Sequence, residues 1–128
     1  MKLCITAVED SLDAQIDPKF GRCQYFLIVN SETMEFQAIP NESFHAAHGA
    51  GIQSAQTVAN SGSEVVITGN IGPNAFRVLS AAGIMILTGV SGSVRDVVEK
   101  YKKGQLHEIQ GPTVGGHFGM GRREGKWR

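Results

Sequence analysis

At 128 residues with 41% apolar content, the chain is long enough for one domain with a real core, so folding requires neither a metal nor a disulfide. Its 12 basic and 12 acidic side chains cancel, which removes any global charge argument for nucleic acid or membranes as partners. No window approaches the roughly 20 apolar residues of a membrane span, and the start reads as a strand rather than a signal peptide. A cytoplasmic protein is therefore expected, with Cys4 and Cys23 as reduced thiols.

The elements follow in chain order. Lys2 to Val8 is a short apolar run and a predicted strand. A long polar connection from Glu9 to Cys23 contains the tight Pro18-Lys19-Phe20-Gly21 turn. Gln24 to Val29 holds the unbroken run Phe26-Leu27-Ile28-Val29, the pattern of a strand buried on both faces. After turn-forming Asn30 to Thr33, the alternation from Met34 to Ala38 predicts a half-buried hairpin partner. A second polar loop runs from Pro40 to Gly51.

The first predicted helix places Ile52, Ala55, Val58 and Ala59 on one face and stops at Gly62. Val65-Val66-Ile67 is the next buried strand, followed by a glycine turn over Gly69 to Gly72. Pro73 suits the first position of a second helix, which buries Phe76, Leu79 and Ala82 and ends at Gly83. Ile84 to Leu87 is the last predicted strand. Ser93 caps a third helix, with Asp96 three residues on as in a capping box. Val94, Val97, Val98 and Tyr101 form its apolar stripe, and Lys102-Lys103-Gly104 ends it.

The pattern then fades. Residues 107 to 128 are glycine-rich, and from Gly119 to Arg128 they carry Arg122, Arg123, Lys126 and Arg128 against Glu124 alone. The expected organisation is one α/β domain over residues 1–106 and a flexible basic tail over 107–128, free to meet an acidic partner.

The order β β β α β α β α fixes where the loops go. If the first strand runs up, the second comes down and the hairpin sends the third back up. Every helix then starts at the upper edge, beside the Glu9–Cys23 loop. Ligands of open α/β sheets bind outside the carboxyl ends of strands. Three helix N-termini fronted by glycines favour an anion there.

The chemistry-bearing residues fall in those loops. His45 and His48, spaced i, i+3, suit two ligands on one metal or cluster, or two exposed loop histidines. Cys23 follows Arg22, and a nearby cation favours a thiolate ligand; a small buried hydrophobe is the competing reading. Cys4 lies mid-strand and reads as core. His117 belongs to the glycine-rich end. Asp10, Asp13 and Asp17 lack calcium-loop spacing. No phosphate loop is present, and Gly49-Ala50-Gly51 follows no strand directly, so nucleotide binding is not supported. A ribonuclease-H-type nuclease needs carboxylates on central strands, where this chain offers Cys4 and Thr6. No catalytic residue is assigned.

Several motifs carry a family resemblance. They are Phe20-Gly21-Arg22-Cys23 with Phe26, then Gly49-x-Gly51-Ile52-Gln53, then Ile67-Thr68-Gly69-Asn70-Ile71-Gly72-Pro73-Asn74-Ala75-Phe76, then Ala82-Gly83-Ile84, and finally Tyr101-x-x-Gly104-x-Leu106. The chain resembles the dinitrogenase iron–molybdenum cofactor biosynthesis family, which includes NifX, the C-terminal domain of NifB, NafY and the orange proteins. The resemblance implies a three-layer ribonuclease-H-like fold, with a five-stranded mixed sheet of order 3-2-1-4-5, strand two antiparallel, and three helices.

It also implies non-catalytic carriage of a metal–sulfur cluster or precursor, whether iron–sulfur, iron–molybdenum or another molybdenum-containing species, in exchange with cluster-assembly proteins. The resemblance implies a histidine ligand in the loop before the first helix, where His45 and His48 lie. With the predicted meeting of the glycine loops, His45, His48 and Cys23 are candidate metal ligands, and Arg22, Gly49, Gly51, Gly69, Asn70, Gly72 and Asn74 candidate cofactor-binding residues. Where many members carry His-Phe-Gly, this chain carries Lys19-Phe20-Gly21. The alternative function is a regulatory module that binds a small anion or a partner protein without metal.

Overall fold

The structure is a computed structural model, and it describes residues 1–43 and 49–114. His45, His48, His117 and the basic residues from Arg122 onward lie outside the described residues.

A mixed sheet forms the middle layer. Its strands are β1 (Lys2–Ala7), β2 (Tyr25–Asn30), β3 (Phe36–Pro40), β4 (Val65–Ile67), β5 (Met85–Thr88) and β6 (His107–Glu108), in spatial order β3-β2-β1-β4-β5-β6. β1, β4 and β5 run parallel, while β2 is antiparallel to both its neighbours. Three helices join them: α1 (Ala50–Asn60), α2 (Pro73–Ala81) and α3 (Val94–Lys102).

The pleat sorts the apolar residues onto two faces. Leu3, Ile5, Leu27, Val29, Val65 and Ile67 pack with Val94, Val97 and Val98 of α3. Their chain neighbours Cys4, Phe26, Ile28 and Val66 pack with Ala55 and Val58 of α1 and with Ala75 and Leu79 of α2. The sheet is thus apolar on both faces, which is why its central strands read as unbroken apolar runs. Each fully buried Leu, Ile or Val contributes about 1.5–3 kcal/mol.

The expected order of five strands and three helices is present, with a sixth strand at the edge. β6 pairs antiparallel with β5, Thr88 opposite His107. Ile109 then donates to the Ile86 carbonyl at 3.0 Å and packs against the α1/α2 core. Residues 107–114 are therefore packed against the domain, contrary to the expectation of a loose tail beginning at 107. Two strand residues with exposed, polar side chains are too short a signal for periodicity to detect.

Three local expectations shift. The hairpin strand starts at Phe36 rather than Met34, because the turn is longer. The Asn30 side chain accepts from the amides of Glu32 and Thr33, the Met34 amide donates to the Asn30 carbonyl, and Met34 takes φ 67°. In α1 the buried face is Ala50, Ser54, Ala55 and Val58, and Ile52 is exposed. Two glycine-lined contacts of α1, described below, turn the helix that way. In α2 Ala75 and Leu79 are buried, Phe76 is half-buried and Ala82 is exposed.

Candidate functional site

The upper edge of the sheet carries the carboxyl ends of β1, β4 and β5, the amino end of β2 and the starts of all three helices. The long loop between β1 and β2 divides this edge in two, because its two halves serve different helices.

The first half closes the start of α3. The Leu12 and Ala14 carbonyls accept from the Arg95 and Val94 amides at 2.9 Å each, and Ile16 donates to the Gly92 carbonyl at 2.8 Å. Ser93 Oγ accepts from the Asp96 amide at 3.1 Å. Asp96 also places a carboxylate in the first turn, and Arg95 pairs with Asp13 at 3.1 Å. All three helices start at this edge as expected, but α3 has no open amides left to offer an anion.

The second half runs between α1 and α2 and ties them together. Asn70 donates to the Pro18 carbonyl at 2.8 Å and accepts from the Phe20 amide at 3.1 Å. Gly69 is required at this crossing, since a Cβ there would lie 2.7 Å from Pro18 Cα. Gly21, at φ +95°, approaches α1 so closely that its Cβ would lie 3.1 Å from Gly51 Cα, and a Cβ on Gly51 would in turn lie 3.6 Å from Ala75 Cβ. These absences of side chains let three backbones meet in one place.

Beneath the loop lies a buried polar brace. Asn41 Nδ2 donates to the Gly21 carbonyl at 3.0 Å and to the Cys23 carbonyl at 2.8 Å, while its Oδ1 accepts from the Ser43 amide at 3.0 Å. Ser54 Oγ adds bonds of 3.3 Å to the Gly21 carbonyl and to Asn41 Oδ1. Deeper still, Thr6 Oγ1 donates to the Asp17 carbonyl at 2.7 Å and meets Thr68 Oγ1 at 2.8 Å. Sequence reasoning missed Asn41, Ser43 and Ser54. An Asn just after a strand is a turn signal, but its bonds to Gly21 and Cys23 are long-range.

Neither α1 nor α2 has a side-chain cap or an acidic residue in its first turn. Gly49 caps α1 in the left-handed conformation (φ 75°), and Gly72 caps α2 in an extended one, with Pro73 next. Among the described residues, no loop carbonyl meets the Asn74 and Ala75 amides as Leu12 and Ala14 meet those of α3. The basic side chains Lys19, Arg22 and Arg77 are exposed around this rim, Arg77 donating to Asn74 Oδ1 at 3.3 Å. Arg22, Gly49, Gly51, Gly69, Asn70, Gly72 and Asn74 thus lie on the rim built by the α1 start, the α2 start and the loop between them.

Cys23 sits under that rim with none of its surface exposed. Burial, with the nearby Asp17 carboxylate adding to it, pushes the thiol up to about 12, only partly offset by hydrogen bonds from the backbone and Asn41. Cys4 is raised as well, through burial and then the neighbouring Cys23. The Arg22 cation therefore does not make Cys23 a thiolate at neutral pH. Among the described residues no group of three His, Cys, Asp or Glu side chains could hold a metal ion. None of their helices is long and apolar enough to cross a membrane.

Known proteins share the sequence pattern and the fold. The sequence model of a family described as dinitrogenase iron-molybdenum cofactor matches residues 1–104. An uncharacterised protein of Methanocaldococcus jannaschii is 32% identical over 99 residues, covering 75% of this chain and 84% of its own. The solved apo form of the orange protein from Desulfovibrio gigas is 38% identical with a TM-score of 0.85, covering 88% of this chain and 95% of that one. A Thermotoga protein carrying the NifB designation is 29% identical with a TM-score of 0.76, covering 88% and 96%.

Proposed function

The chain belongs to the dinitrogenase iron-molybdenum cofactor family, and from that membership we propose that it carries a preformed, anionic metal–sulfur cluster or cluster precursor without transforming it. The cluster is cargo, delivered and collected by cluster-assembly proteins. The observation that carries this reading is the contrast at the upper edge. Among the described residues two helix starts have no side-chain cap and sit behind glycines, with Lys19, Arg22 and Arg77 exposed nearby, while the third is closed. Open amides and the positive end of each helix dipole favour an anion. The described residues suit a cluster that brings its own sulfide ligands better than a bare cation.

In this reading Gly49, Gly51, Gly69, Asn70, Gly72, Asn74 and Arg22 form the cradle. His45 and His48, in the segment leading into α1, supply imidazole ligands. Cys23 could ligate only once uncovered and deprotonated. The basic residues after position 121 are available to an acidic partner. β1, β4 and β5 carry no carboxylate, which fits carriage rather than metal-dependent hydrolysis. We read the fold as ribonuclease-H-like, with β6 as an added edge strand.

Anaerobic reconstitution with iron and sulfide, and separately with tetrathiomolybdate, tests the proposal. Charge-transfer absorption and retained metal after desalting are expected for the wild-type chain, with clear loss in the His45→Ala/His48→Ala double variant. Absence of retained metal in the wild-type chain, or retention unchanged by the double substitution, contradicts it. A thermal shift with phosphate but none with thiometalates would replace the reading with that of a small-anion module.

A further inference from the structure

The segment after β6 passes alongside Ile86 of β5 and reaches the start of α2 at Thr113 and Val114. Every polar contact it makes there falls on one residue. Thr113 Oγ1 accepts from the Ile71 amide at 2.7 Å and donates to the Ile71 carbonyl at 3.1 Å. The Thr113 and Val114 amides donate to the same carbonyl at 2.8 and 3.2 Å. The Ile71 side chain is 1% exposed and fixed in the core, so the clasp acts on its backbone. The next residue is Gly72, the N-cap of α2, and a Cβ there would lie 3.8 Å from Val114 Cγ2.

We propose that Thr113 is a positioning residue of the anion cradle, and that the 107–114 segment is a wall of the site. The role rests on the proposed carriage function and deepens it. A turn rich in glycine has many backbone states available. An anion held by open amides gains most when those amides are already aimed. Pro18 and Phe20 hold the turn at Asn70 from one side. Thr113 holds it at Ile71 from the other, so both ends of the approach to Gly72 are fixed. Without the hydroxyl, Ile71 loses the acceptor of its amide and one of three donors to its carbonyl. The Asn74 and Ala75 amides then start from a looser frame. Thr113 is itself exposed, so it can be changed without opening the core.

Thr113→Val, which keeps the shape and removes the hydroxyl, is compared with Thr113→Ser and the wild-type chain. Two quantities are read: the exchange rate of the Ile71 amide, and anaerobic binding of tetrathiomolybdate. Expected results are faster Ile71 exchange and about threefold to tenfold weaker binding in Thr113→Val, as part of the net worth of the two lost hydrogen bonds is passed to the cradle. Thr113→Ser should restore both, and melting temperatures should stay within a few degrees throughout. Unchanged Ile71 exchange in Thr113→Val overturns the clasp. Faster exchange with unchanged binding overturns the positioning role while leaving carriage intact. A wild-type chain that binds no tetrathiomolybdate overturns the carriage reading, and the role of Thr113 falls with it.

Discussion

The start of α3 and the starts of α1 and α2 lie on one edge of one sheet, and the chain treats them in opposite ways. At α3 every device for closing a helix start is present: a Ser cap, an acidic first turn and two loop carbonyls on the first amides. At α1 and α2 glycines stand where caps would, and no acid follows. A Ser, Asn or Asp cap in place of Gly stabilises a helix start by roughly a few tenths of a kcal/mol, so leaving two out forgoes a little stability at those places. The difference motivates the proposed placement of the ligand. A helix start closed by its own chain serves the fold, and one left open can serve something else.

That comparison can be strained hardest at the brace beneath the open side. Asn41→Ala should cost about 2–4 kcal/mol in urea unfolding, because the Cys23 carbonyl loses its donor, the Gly21 carbonyl keeps only the Ser54 hydroxyl, and the Ser43 amide loses its acceptor. It should also weaken thiometalate binding, since the loop between α1 and α2 loses its support.

High pH probes the same side by another route. An unfolded Cys titrates near 9.0 and folded Cys23 near about 12, so the folded state favours the protonated thiol. For Cys23 that stabilisation is complete below pH 9 and is lost as pH rises from 9 toward 12, by up to about 1.4 kcal/mol per pH unit. Denaturation midpoints should fall across that window. Cys23→Ala should flatten the fall, and Ellman's reagent should react slowly with both thiols of the native chain at pH 8.

Gly72→Asp inverts the open side. Its backbone is extended, φ −88° and ψ 176°, so any residue fits, and an Asp there caps α2. The variant should gain about 0.5 kcal/mol of stability. It should bind tetrathiomolybdate about tenfold more weakly through like-charge repulsion and loss of open amides. A gain in stability with no loss in binding would detach the α2 start from the site.

Ser93→Ala is the smallest change and the control from the closed side. It should lose about 1 kcal/mol of stability and leave binding unaltered.

Much of this was legible in the sequence. Unbroken runs such as Phe26–Val29 placed the central strands, and glycines and prolines placed the helix ends, because those signals are local. Topology alone put the three helix starts on one edge. At α3 the Ser93 cap and Asp96 were legible, but the loop carbonyls were not, since Leu12 and Ala14 reach Arg95 and Val94 across about 80 residues of chain. For Cys23 the sequence left a thiolate beside Arg22 and a small buried hydrophobe both open; burial under the Asn41 brace decides for the second. Thr113 was lost in a glycine-rich stretch, because one side chain gripping Ile71 leaves no periodic trace.

The central claim is that the open starts of α1 and α2, and not the closed start of α3, receive an anionic metal–sulfur species. Amide NMR of the full chain during anaerobic titration with tetrathiomolybdate tests it most directly. Saturable shifts are predicted at Gly49–Ile52 and Gly69–Ala75, with Ser93–Asp96 unmoved. Shifts of equal size at Ser93–Asp96, or none at either place, would contradict it.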